Sequence, residues 1–246
     1  MREENIRGIP KLDVPIYRIF TVNRLREIFA KRVLTLVKPE RWEDPFENFL
    51  LGSIVRFADG EQATMEAIQR KLYGQCWTLL RESDALWQIY SPKKNGIRVR
   101  TTVQKLWNAF YDPKQPFSEL NYWMGRMQYW SERKIRQLMS SDYASSIAFD
   151  STGWGHAFSL LIKRNPFRHE KEVRLIYSDT AEKVKGGLFR VSIDPLAVFD
   201  ELVFDPRMQA DRIAKLGKEF QRRGFTGKIR KSPLYRKPAF IIQMEN

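Results

Sequence analysis

The chain has 246 residues, 43% hydrophobic and 13% aromatic, which suits one folded domain (residues 1–246) and excludes a disordered, charge-rich chain. One cysteine excludes an intramolecular disulfide, and with two histidines beside it no metal site of the usual zinc type is expected. The 43 Lys and Arg against 29 Asp and Glu leave a formal net charge of +14, which suits a partner that carries phosphates.

The start, MREENIRGIPK, lacks the apolar run of a signal peptide, and no stretch nears the ~18 apolar residues of a membrane helix. A cytoplasmic protein without membrane contact is therefore expected. VPIYRIF (14–20) predicts a strand, followed by a helix over 21–32 with Thr21 as N-cap and Leu25, Ile28 and Phe29 on one face. KPERWEDPFE (38–47) reads as a loop broken at Asp44-Pro45, where Asp44 caps the turn or orients a neighbour. A helix over about 61–73 is expected to end at Gly74. A strand QCWTLL, a short helix SDALWQIY, a strand GIRVRTT and a helix over 102–111 come next. The aromatic run LNYWMGRMQYW (120–130) predicts a strand, and a polar helix starts at Ser131. HAFSLLIKR (156–164) is an apolar segment. GLFRVSI and ELVFD predict strands, 207–223 a basic helix, and AFIIQM a strand that closes a sheet. Strands and helices mix without strict alternation, so the class is α+β with a mixed or antiparallel sheet flanked by helices.

In FRHEKEVRLIY (167–177), alternation along a strand sets Glu170, Glu172 and Arg174 on one face and Val173, Leu175 and Tyr177 on the other. That pattern fits a half-exposed strand carrying an ion pair, and equally the floor of a carboxylate active site. No phosphate-binding glycine loop, zinc-protease motif or nucleophile elbow is present, so any chemistry falls to carboxylates, hydroxyls, aromatics and arginines. Residues 207–237 concentrate the positive charge. Arg212, Lys215, Lys218 and Arg222 are spaced to share one helix face, and Lys228, Arg230, Lys231 and Lys237 follow. Such a stripe suits contact with the backbone of DNA or RNA, and equally a solvated helix face.

RWEDPFE, CWTLLRESDALWQIYSPKKNGIRVR and FRHEKEVRLIY, in that order, resemble a large uncharacterised bacterial domain family over about residues 15–240. Its members carry an Asn/Glu-Asp-Pro-Phe-Glu loop, a Leu/Met-Trp-x-x-Tyr helix and a Glu-x-Glu-x-Arg strand. IYRIFTVNRLREIFAKRVLTL is also similar to the opening of ADP-ribosyltransferase folds, including DarT-type toxins that modify nucleic acid. That resemblance implies an ADP-ribosyltransferase-like sheet, NAD as cofactor, a nucleic-acid acceptor, and a role as a toxin or phage-defence effector with a partner antitoxin. It sets Tyr17 or Arg18 at the NAD position of the first strand and Thr78 at the middle strand, here Cys76-Trp77-Thr78 rather than Ser-Thr-Ser. Glu172 falls at the catalytic position and Glu170 at the acceptor position. Arg174 would hold Glu172 in orientation, and Trp77, Trp87 and Tyr90 offer flat surfaces for a ring. Two other readings stay open. One is an N-glycosylase of nucleic acid that works without NAD, and the other is a basic nucleic-acid-binding protein without catalysis.

Overall fold

The computed structural model describes residues 3–42, 44 and 46–244. In chain order its strands are β1 (Ile6–Arg7), β2 (Pro15–Thr21), β3 (Val33–Val37), β4 (Ile54–Arg56), β5 (Gln62–Thr64), β6 (Leu72–Thr78) and β7 (Gly96–Thr102). They continue as β8 (Tyr122–Arg126), β9 (Gln128–Trp130), β10 (Ile162–Arg164), β11 (Glu172–Ser178), β12 (Leu188–Ser192), β13 (Glu201–Phe204) and β14 (Lys228–Lys231). Ten of them make one sheet in the order β1-β8-β11-β6-β2-β7-β13-β14, with β3 branching from β6 and β12 paired to β3. Pairing is antiparallel except at the two edges, where β1 runs parallel to β8 and β14 to β13. The class is α+β, a mixed sheet flanked by helices.

The branch at β6 positions the site. One side of β6 pairs with β11 along its whole length, from Glu172↔Thr78 to Ser178↔Leu72. The other side is shared: Tyr17 of β2 meets Thr78 at one end, and Val37 of β3 meets Gly74 at the other. Between those contacts the sheet forks, and a cleft opens.

Local sequence explains most of the elements. Thr21, Ser83, Thr102 and Ser131 each accept a hydrogen bond from the backbone amide three residues on, capping the helices Val22–Lys31, Asp84–Tyr90, Val103–Phe110 and Glu132–Met139. Apolar residues at helical spacing then bury Val22, Leu25, Ile28 and Phe29 against the sheet. The main core covers one face, where Val173, Leu175 and Tyr177 of β11 join Trp77, Trp107 and Phe220. A second core covers the other face around Ile176, Trp123, Leu161 and Leu50.

Two expected elements differ. The helix over 61–73 is instead β5, a single turn Glu66–Gln69 and the start of β6. Gly74 lies inside β6 rather than ending a helix, because a Cβ there would stand 2.6 Å from Cζ2 of Trp42. AFIIQM forms no strand: 239–244 has no regular structure, and Phe240, Ile241 and Ile242 are exposed.

Candidate active site

The cleft at the fork has a volume of about 310 Å³, at the lower end of the range for ligand pockets. Its walls bring together Tyr17, Arg18, Asp44, Thr78, Tyr90, Glu170 and Glu172. Tyr17, Thr78 and Glu172 are register partners on three adjacent strands, so they form one row across the sheet. These residues are far apart in sequence, and only the strand order unites them.

Glu172 begins β11, which is buried along its whole length. The half-exposed strand read from the sequence is therefore corrected, because helices and loops cover both faces. Glu170 is not on that strand. It ends the 3-10 helix Asn165–Glu170, and Lys171, at φ 43°, turns the chain into β11. The turn nevertheless brings the two carboxylates together: Lys163 Nζ donates to Glu170 Oε2 at 2.6 Å and to Glu172 Oε1 at 2.8 Å. Thr78 Oγ1 donates to the Glu170 carbonyl at 2.5 Å, so the middle-strand hydroxyl fixes this turn.

Arg174 is fully buried behind the cleft and donates to Glu172 Oε2 at 2.9 Å, to the Leu160 carbonyl at 2.8 Å and to Glu47 Oε2 at 2.6 Å. Its guanidinium lies 4.3 Å from the centre of the Trp42 ring, which explains why Gly74 must leave room for that ring. Glu47 also reaches Lys163, at 2.8 Å. Three carboxylates thus converge on one ammonium, with a guanidinium beside it.

The proton inventory follows from this packing. Burial raises Glu170, the hydrogen bond to Glu172 and the Glu172 charge raise it further, and the result is about 8. Burial alone would raise Glu172 as well, but the charge of Arg174, the hydrogen bond from Glu170 and the charge of Lys163 hold it well below the ordinary range. At neutral pH Glu172 is therefore a carboxylate between Lys163 and Arg174, and Glu170 carries a proton. Burial also pushes the Cys76 thiol up to about 12, so it is no thiolate nucleophile.

Arg18 reaches into the fork, where it donates to the carbonyl of Cys76 on the unpaired edge of β6. Its Nε is buried without a hydrogen-bond partner, and no carboxylate pairs with it among the described residues. Such a cation is open to an anionic ligand group. Asp44 caps its own turn by accepting from the Phe46 amide at 3.1 Å and accepts from Arg164 at 2.8 Å.

One ring platform is corrected: Trp87 is 1% exposed, lies outside the cleft lining and donates to Glu82 at 2.6 Å. Trp77 borders the cleft but is 2% exposed, packs edge-on to Phe20 in the main core and donates to Gln75. Tyr90, one turn beyond Trp87, is the half-exposed ring at the cleft. The basic stripe is real but lies elsewhere. Arg212, Lys215, Lys218 and Arg222 are exposed on the helix Ala210–Arg222, whose Leu216 and Phe220 pack on the sheet face opposite the carboxylates. Lys228 and Lys231 are exposed on β14, the far sheet edge, while Arg230 is tied to Glu201 at 2.7 Å. Lys237 is exposed in the C-terminal segment. Exposed cations near the site include Arg41 in the cleft wall, Arg81 in the adjoining hollow, and Arg168 and Lys171, which flank the lining residues Phe167 and Glu170 in the chain.

Sequence reasoning missed Lys163 and Glu47. Glu47 closes the Asp-Pro-Phe-Glu motif. Lys163 follows the apolar run SLLI directly, a place where a buried lysine needs carboxylate partners.

Neither a family model nor a curated protein sequence matches the chain. Among solved structures it is similar to Thermus sp. 2.9 DarT in complex with NAD+, at a TM-score of 0.40 and 15% identity over 90% of this chain and 96% of that one. It is similar to the same protein in complex with carba-NAD+ (TM-score 0.39, 14% identity, 90% and 95% covered). The complex with ADP-ribosylated ssDNA gives a TM-score of 0.37 at 15% identity, with 85% and 90% covered.

Proposed function

We propose that this chain is an ADP-ribosyltransferase-like enzyme that takes NAD+ as substrate and nucleic acid as acceptor. The observation that carries the reading is the row Tyr17–Thr78–Glu172 at the fork, with an arginine that has no acidic partner among the described residues on one wall and paired carboxylates on the floor. The residues fit the substrate. Arg18 and Arg41 suit a pyrophosphate, Tyr17 and Tyr90 suit flat rings, and Glu172 is a fixed, buried anion. Positive charge develops on the ribose when its bond to nicotinamide breaks, and a preorganised carboxylate stabilises that charge most strongly where water is excluded. Glu170, once ionised, draws a proton from the acceptor.

The glycosylase reading without NAD fits the geometry less well. An inverting enzyme keeps its two acids roughly 6.5–9.5 Å apart to admit a water, whereas Glu170 and Glu172 share one ammonium and hydrogen-bond each other. The test is incubation with NAD+ and single-stranded DNA or RNA, followed by mass spectrometry. An oligonucleotide heavier by one ADP-ribose is the expected product. Base loss without NAD+ consumption would replace this reading with the glycosylase, and binding without any reaction would leave a binding protein.

The acceptor should approach over the cationic rim rather than along the helix on the opposite face. Reversing Arg168 and Lys171 to Glu is expected to weaken oligonucleotide binding alike across sequences and to flatten its salt slope by ~0.7 for each phosphate no longer neutralised. NAD+ hydrolysis should survive. Reversing Lys215, Lys218 and Arg222 should change modification little, and a larger effect there than at the rim would move the acceptor track to the helix.

Glu170 also makes stability pH-dependent. Its pKa in the fold, about 8, lies above the ordinary 4.5, so the stability it contributes is complete below about 4.5 and is lost as pH rises through 8. Thermal denaturation from pH 6 to 9 should show the wild type losing stability relative to Glu170→Gln. Parallel profiles would place the proton elsewhere.

A further inference from the structure

Glu47 and Glu172 make the same pair of contacts. Each carboxylate places one oxygen 2.8 Å from Lys163 Nζ and the other on Arg174, Glu47 at 2.6 Å and Glu172 at 2.9 Å. The two acids and two cations close a ring, and both side chains are within 6% of full burial. The strand Glu172–Ser178 supplies half of this ring. The turn after Asp44 supplies Glu47, and β10 supplies Lys163.

We infer that Glu47 is a positioning residue for Glu172: by taking half of Lys163 and Arg174, it keeps the Glu172 carboxylate from being neutralised by both cations and turned away from the cleft. The inference rests on the proposed function for its kinetic consequence, but the electrostatic consequence is independent of the reaction. Neutralising Glu47 leaves two cations facing one carboxylate, so the cluster gains a net positive charge. Glu170 must respond, because it hydrogen-bonds Lys163 in the same ring. The charged and titratable groups around it are Lys163 from β10, Glu172 and Arg174 from β11, and Glu47 from the turn. Tyr129 from β9, Tyr90 from the helix Asp84–Tyr90, Arg18 and Cys76 across the cleft, and Arg41 and Asp44 on its wall are the others among the described residues. Of these, Glu47 is the negative group of the ring that a neutral isostere removes without touching the residues assigned to substrate.

The experiment compares wild type, Glu47→Gln and Glu47→Asp in two assays. In NAD+ cleavage, Glu47→Gln should lower kcat about tenfold while KM stays within about twofold, since the effect falls on transition-state stabilisation rather than on binding. In the pH dependence of unfolding, the inflection assigned to Glu170 should move about one unit towards lower pH, as a net positive neighbour favours the carboxylate. Glu47→Asp keeps the charge and should return the inflection most of the way. A variant that merely loosened the structure would lower stability at every pH and leave the inflection in place, and that result overturns the inference. So does an unchanged kcat with an unchanged inflection. If Glu47→Gln does not fold, a Glu47→Asp protein with the wild-type inflection and a kcat lowered less than twofold supports charge sharing, and a shifted inflection there overturns it. A wild type that leaves NAD+ intact while the inflection still moves in Glu47→Gln defeats the proposed reaction and leaves Glu47 in its role.

Discussion

Glu172→Gln is expected to yield a folded protein whose NAD+ cleavage falls by at least ~10²-fold, the scale seen when one preorganised charge-stabilising group is removed from a buried site. The amide keeps the shape and one acceptor oxygen, so Arg174 retains Glu47, the Leu160 carbonyl and a contact at position 172. What disappears is the negative charge on the cleft floor. The Gln amide also points a donor at Lys163 or at Arg174, and stability should fall by about 1–3 kcal/mol. Steady-state kinetics and a denaturation midpoint on the same preparation separate the two effects. Cleavage within a fewfold of wild type in a folded Gln variant would remove Glu172 from the chemistry and make the cluster purely structural.

Lys163→Met should give the largest drop in stability. It leaves Glu47, Glu170 and Glu172 around an apolar side chain, with Arg174 the remaining cation in contact with two of them. Breaking a buried ion pair by removing one partner costs about 3–5 kcal/mol, because the other charge stays buried and uncompensated. The cost also has a pH signature. Without the ammonium the acids are more easily protonated in the fold than in the unfolded chain, so the variant should regain stability as pH falls from 8 towards 5. Chemical denaturation at both pH values measures the drop and its recovery. Wild-type stability at pH 8 would mean that water solvates the cluster and that the buried ring contributes little.

The sequence by itself determined the local units. Ser and Thr before apolar-periodic runs set where helices begin, since a capped amide is satisfied within three residues of its cap. Apolar and β-branched runs marked β2, β7 and β13, and the Glu-x-Glu-x-Arg stretch marked the carboxylates. These signals reach only over a few residues. Gly74 looked like a helix end because its reason for being glycine, the ring of Trp42, lies 32 positions away in sequence and touching in space. Trp87 and Tyr90 were alike as aromatic residues on one helix face, and the packing around the cleft buried one and exposed the other. The basic stripe was visible, but the face of the sheet it would occupy was not. That depends on which side Phe220 packs, and Phe29 of the first helix settles it through a ring contact at 5.0 Å. How the site residues come together was decided by tertiary structure. Lys163 has no meaning as a lone lysine in an apolar run until the fold brings three carboxylates to it. A charge buried away from water is stable only when partners distant in sequence arrive to pair it.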